Sequence, residues 1–251
     1  MNVAEISKSE NELVQNAKLM NEEFFLHAEY AVDFAHSFIK KVDPNSFYFL
    51  LFLSSFQKHI ILAFLSAVRF HHIQTNFNLR FASEAAAWGS FAIGKNDPEK
   101  DKEKFALIDE DGMMNPNDDL KKKMYKWLDE KYPDGSASLK QYKGQTNALS
   151  SHANIVDAHR TSSGLVDGKF KTQFFDCSED RHIKTDLWAT ANLVMGALDL
   201  FYGVNKDFNI FEFQEDFLEK MKILKTENDR LKEVMLSDPH LSKHKPKHDK
   251  K

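Results

Sequence analysis

QKHIILAFLSAVRFHHIQTNFNLRFASEAA, residues 57–86, reads as two apolar helices meeting at a polar break. Its apolar side chains recur at the helical period, which predicts one helix from about Asn45 to Phe70 and a second from about Gln74 to Ile93. His71, His72, Ile73 and Gln74 form the break, with both histidines expected at a turn or on the surface. Neither Gly nor Pro marks it, so one continuous bent helix is the open alternative. Gly94 offers a C-cap. On the second helix Arg80 and Glu84 stand at i and i+4 among Phe77, Leu79, Phe81, Ala85, Ala86 and Trp88. A helix this apolar that carries one opposite-charge pair either fixes the register of a bundle or prepares a polar site.

Upstream, Leu13, Ala17, Met20, Phe24, Ala28, Ala31, Ala35 and Phe38 recur every third or fourth residue, predicting one amphipathic helix from Glu10 to Lys40. Ser9 and Glu12 have capping-box spacing at its start, and Asp43-Pro44 ends it near residue 41 while opening the next helix. The run Phe47–Val68 is long enough to span a membrane, but Gln57, Lys58 and His59 lie at its middle. A central Lys alone costs about 3 kcal/mol in a bilayer, so the run reads as a buried core helix with no membrane partner.

Downstream, residues 95–119 are charged and broken by Pro98, Gly112 and Pro116, the pattern of a surface excursion. The string DEDG at 109–112 lacks the alternating oxygen ligands and closing Glu of a calcium loop. Leu120–Lys131 reads as a short helix carrying Tyr125, Trp127 and Leu128 and stopped at Pro133, followed by a helical stretch from Ser138 to His159. Asp167-Gly168 between GLV and KFKTQFF is a type I′ turn signal and predicts a small β-hairpin near 163–175. Thr185 is placed to cap a helix to Tyr202 that buries Leu187, Ala191, Val194, Met195, Leu198 and Phe201. In the last helix, about Phe208–Leu236, Phe217, Met221, Leu224, Asn228, Leu231 and Met235 form a coiled-coil-like seam with Asn228 at an a position, which predicts self-association into a homo-oligomer. The alternative is a helix packed on its own bundle with Asn228 exposed. The fold class is therefore all-α: a bundle domain over 1–207, an oligomerisation helix over 208–237 and a disordered basic tail over 238–251.

Composition agrees with that class. Of the aromatic residues, 22 are Phe against 6 Tyr and 3 Trp, ring area suited to a helical interior, while 9 Gly and 6 Pro are too few for a turn-rich sandwich. A net charge of −4 makes no global case for nucleic acid. The single cysteine, Cys177, excludes an internal disulfide and a Cys-rich zinc site, and reads as a small core residue. The start MNVAEISKSENE has neither a basic nor an apolar signal region, so a cytoplasmic location is expected. No phosphate loop, dinucleotide glycine motif or nucleophile elbow occurs, and no cofactor is implied.

The candidate third member of a polar site is His152 in NALSSHANIVDAH, preceded by Ser150 and Ser151 and followed by Asp157 and His159 on the same helical stretch. The usual HExxH and ExxH metal patterns are absent, so no metal is expected. Arg80 and Glu84, with Leu149, Ser150 and His152, resemble the Arg-x-x-x-Glu and Leu-Ser-x-x-His segments of a group of uncharacterised prokaryotic helical proteins, over roughly residues 48–202, with His152 two residues after Ser150 where that motif has three. That group is similar in layout to the HEPN superfamily, and the resemblance implies an RNA-directed role. Active HEPN ribonucleases place Arg and His a short distance apart on one helix, a pair that neither Arg69 nor Arg80 forms here. The first expectation is thus a non-enzymatic, oligomeric module binding RNA or protein. The alternative is a metal-independent ribonuclease in which His152 acts as general acid or base, Arg80 stabilises phosphorane-like charge and Glu84 orients Arg80.

Overall fold

A computed structural model describes residues 2–95, 105–108, 110–111, 113–150, 162–166, 169–176 and 180–238 of the chain. Helix α1 (Val3–Met20) begins earlier than the Ser9 signal, because Asn2 and Glu5 form a complete capping box: Asn2 Oδ1 accepts from the Glu5 N–H and Glu5 accepts from the Asn2 N–H. The single helix expected over 10–40 is two helices. The backbone leaves helical geometry at Asn21 and resumes as α2 (Glu22–Ser37). The bend lets Ala17 from α1 and Phe24 and Ala28 from α2 reach one cluster around Leu187 and Leu231.

Helix α2 also stops short of residue 41. Phe38 turns into the core, and β1 (Ile39–Val42) pairs antiparallel with β6 (Phe211–Phe213), aligning Val42 with Phe211 and Ile39 with Phe213. The Asp43 N–H donates to Ile210 O and the Gln214 N–H to Phe38 O, closing both ends of the ribbon. This ribbon has no local signal, because each strand is only a connector whose partner lies far along the chain.

Helices α3 (Phe47–Val68) and α4 (His72–Gly94) form the expected hairpin as two separate helices. The break is at Phe70, which takes φ 65°. The inner face of α3 buries Phe49, Leu53, Phe56, Ile60 and Ala63, but its outer face leaves Phe47, Leu51, Ile61 and Leu62 exposed. The helix is thus a core element on one side only. Helix α4 is enclosed more completely, burying Leu79, Ala82, Ala85, Ala86, Ala87, Phe91 and Ile93.

The remaining helices are α5 (Asp118–Lys131), α6 (Pro133–Ser150), α7 (Asp180–Phe208) and α8 (Phe217–Ser237). Pro133 opens α6 instead of merely ending α5, since its fixed φ and missing N–H suit the first helical position. Thr185 lies inside α7 and its hydroxyl donates to Arg181 O, so it is not the cap. The predicted hairpin is present as β4 (Ser162–Val166) and β5 (Lys169–Thr172), with Val166 opposite Lys169. The turn residues Asp167 and Gly168 lie outside the described residues. A further antiparallel pair, β2 (Ala106–Ile108) with β3 (Met114–Pro116), lies in the stretch read as a surface excursion. The all-α bundle with a small hairpin is therefore the fold, with two additional two-stranded pairs among the described residues.

The seam of α8 faces its own chain. Phe217 and Leu224 join the main core, Leu231 joins the cluster beside α1, and Met221 and Met235 are half-buried at their edges. Asn228 is buried, not exposed: its Oδ1 accepts from His27 Nε2 at 3.2 Å and its Nδ2 donates to Asn192 Oδ1 at 2.8 Å. The Asn192 amide in turn donates to the Tyr142 hydroxyl, and Trp188 Nε1 donates to the Asn228 carbonyl at 2.9 Å. Burial lowers the His27 pKa, and the hydrogen bond to Asn228 pulls the other way. The network therefore ties α8 to α2 and α7, with α6 attached through Tyr142. In a coiled-coil dimer, Leu in place of an a-position Asn raises stability. Here Asn228→Leu strands buried donors and acceptors on His27 and Asn192, so it is expected to lower unfolding free energy by about 2–4 kcal/mol in urea denaturation. A gain in stability would overturn the intrachain assignment.

Candidate functional site

Helix α4 begins where Asp176 caps it. The two carboxylate oxygens accept from the His72 and Ile73 N–H groups at 2.5 and 3.1 Å, satisfying donors a helix start leaves open. The histidines expected on the surface are instead structural. His72 Nδ1 lies 2.7 Å from Asp186 Oδ1 on α7, and Asn76 Nδ2 lies 3.1 Å from its other ring nitrogen. His71 Nε2 meets Glu10 Oε1 at 2.9 Å while its ring packs on Phe174 and Phe175. Both rings are buried: His71 pins α1 and the segment after β5 to the start of α4, and His72 pins α7 to it.

Two turns further on, Phe77, Arg80, Phe81 and Glu84 occupy i, i+3, i+4 and i+7 and share one face. This is the face that α3 and α7 leave uncovered, and α5 and α6 flank its Glu84 end. Helix α5 is capped by Asn117, whose Oδ1 accepts from the Leu120 N–H, and buries Leu120, Met124 and Leu128. Its other side presents Lys121 and Tyr125. Helix α6 is held to α5 by Asp129, which accepts from the Ser136 hydroxyl and from Lys140, each at 2.6 Å. That anchoring brings Lys143 over Glu84.

Glu84 is consequently one carboxylate beneath three cations. Arg80 Nε lies 3.7 Å from Oε1, Lys143 Nζ 3.4 Å from Oε1 and Lys121 Nζ 3.3 Å from Oε2. The Glu84 side chain is 19% exposed, against 30% for Arg80, 36% for Lys121 and 25% for Lys143, so the cations stand between the carboxylate and water. Burial pulls the Glu84 pKa up, but Lys121 and Lys143 outweigh it and hold the carboxyl below its usual range. Tyr125 completes the floor, with Lys143 Nζ 5.0 Å and Lys140 Nζ 5.7 Å from its ring centroid. Its pKa is pushed up to about 12 by burial and by the Glu84 charge, with Arg80 opposing, so it remains a neutral phenol. Lys122, Lys126 and Asp129 join Tyr125, Lys140 and Lys143 around an open depression of about 460 Å³.

The expected pair of Arg80 and Glu84 is thus in contact and reachable from solvent. His152, His159, Asp157 and Cys177 lie outside the described residues. Sequence reading missed Lys121, Tyr125, Lys140 and Lys143, which come from two other helices. Their one local sign was the helical spacing of Lys121 and Tyr125 on a single face. Among the described residues, no group of three His, Cys, Asp or Glu side chains is placed to hold a metal ion. Chemically, the arrangement gathers Arg80, Lys121 and Lys143 around the one carboxylate that organises them.

A carboxylate whose folded pKa is depressed stabilises the fold above its unfolded pKa, and that contribution is lost as pH falls through the folded value. Glu84→Gln should therefore lower stability by about 1 kcal/mol at pH 7, and the difference should close as pH drops below the ordinary Glu range near about 4.3. Paired denaturation curves at pH 7 and in acid measure this; a difference independent of pH would mean that charge is not what Glu84 supplies. Comparison of the chain with protein-family models, curated proteins and solved structures returns no match, so the reading of this site rests on its geometry.

Proposed function

We propose that this chain is a non-enzymatic helical module that binds the phosphate backbone of RNA at the charged cluster around Glu84 and the depression between α5 and α6. The observation that carries this reading is the pair of partly exposed cations, Arg80 and Lys121, on the single carboxylate of Glu84. One carboxylate positions both and balances one, so positive charge is left for an outside anion. Lys140 is shared with Asp129, and the rim residues Lys122 and Lys126 are held only by exposed neighbours, Asp119 at 3.4 Å and Glu130 at 3.9 Å. Exposed pairs of this kind contribute little to stability and exchange readily for a phosphate. The chain's mildly acidic balance does not oppose this, because the field at a site depends on the charges nearest to it. The same role is implied by the resemblance to HEPN-like proteins.

Fluorescence anisotropy with a labelled RNA oligonucleotide tests the reading. Affinity should fall linearly with the logarithm of salt concentration, and Lys121→Ala, Lys140→Ala and Lys143→Ala should each weaken binding several-fold and reduce that slope by about 0.7. Binding insensitive to salt and to these three substitutions removes the proposal. The alternative of metal-independent cleavage is read from the same samples on a denaturing gel, where RNA left intact after long incubation retires it.

A further inference from the structure

Phe77 and Phe81 sit on the same face of α4 as Arg80, one turn apart, and are 45% and 43% exposed. Nine phenylalanines are buried in the core, and of the exposed ones these two share a helix face with the charged pair Arg80 and Glu84. They belong to an ordered row. The His59 ring on α3 stacks on Phe81 at 5.0 Å between centroids with planes 17° apart, and Phe77 meets Phe81 edge-on at 4.7 Å. His59 is itself fixed, because its Nδ1 lies 2.9 Å from Asn78 Oδ1, and Asn78 Nδ2 donates to Gln74 O. The rings are therefore held in place before any ligand arrives, with Phe77 at the outer end of the row.

Resting on the RNA-backbone reading above, we infer that Phe77, backed by Phe81 and His59, forms a stacking platform for an unpaired base, making the ligand a single strand and not a duplex. Aromatic rings bind bases of any identity through their faces, and a duplex keeps those faces stacked inside. Charge places the strand. Arg80 lies between the two rings along the helix, and Glu84 with its ring of cations lies seven residues beyond Phe77, about 10 Å along the axis. That span equals roughly three stacked nucleotides at about 3.4 Å each. A strand stacked on Phe77 thus lays its next phosphates against Arg80 and Lys121. An apolar partner alone would make no use of this charge.

The test uses the full chain with three polyanions: a labelled oligo(A) RNA, an RNA duplex of the same length and inorganic polyphosphate of matched charge. Oligo(A) should bind at least about fivefold more tightly than the duplex. Phe77→Ala should weaken oligo(A) by a similar factor while leaving polyphosphate affinity and the salt slope unchanged, since it removes a ring and no charge. Phe77→Trp should restore oligo(A) binding, with indole emission quenched by the stacked base. Equal affinity of the wild type for oligo(A) and duplex overturns the platform, as does a Phe77→Ala variant that loses all three ligands equally. Sedimentation velocity that finds a wild-type dimer dissociated by Phe77→Ala, with oligo(A) affinity intact, also overturns it and assigns this face to a second copy of the chain. Polyphosphate binding without preference for unpaired bases defeats only this inference, whereas failure to bind any of the three defeats the backbone reading beneath it.

Discussion

Everything in this molecule is arranged around the close approach of α4 to α7. A Cβ added at Gly89 would lie 3.2 Å from the Phe201 ring, tighter than ordinary contact, so the absence of a side chain there sets the distance between the two helices. Phe201 uses that space to pack against Phe38, Phe49 and Phe56, which joins α2, α3, α4 and α7 in one core. The run of alanines before Gly89 allows the same approach along the rest of α4. With small residues inward and α3, α5, α6 and α7 around it, α4 keeps only one narrow stripe open to water.

That stripe is where the charged residues of the helix sit, and their partial exposure explains how they are tolerated. A fully buried Arg–Glu pair faces a desolvation cost of several kcal/mol for each ion, which mutual attraction repays only with excellent geometry. At 3.7 Å the Arg80–Glu84 contact is loose. It persists because Arg80 is partly exposed and because Lys121 and Lys143 add attraction from outside the helix. The pair is therefore one part of a surface electrostatic cluster, while register within the bundle is set elsewhere, by neutral hydrogen bonds from Asn228 and by the buried His72–Asp186 contact.

Asn228 shows how the same sequence pattern can serve two architectures. An apolar seam with one polar a-position residue is what a parallel dimer displays, and it is also what a helix displays when it packs against two neighbours of its own chain. The polar residue needs a partner in either case. Here α2 and α7 supply it, through His27 and Asn192.

The sequence by itself determined the helical class, the α3–α4 hairpin, the β4–β5 pair and the contact of Arg80 with Glu84, because each depends on residues close together along the chain. Periodicity, caps and i to i+4 spacing are local quantities and can be read without a fold. Tertiary structure alone decided the bend at Asn21, the β1–β6 ribbon, the burial of His71 and His72, the inward turn of the α8 seam and the arrival of Lys121, Tyr125, Lys140 and Lys143 around Glu84. Each of these is a choice of partner made across tens of residues or more, settled by which surfaces must be buried together. Local sequence states what a segment can become; only packing selects what it faces.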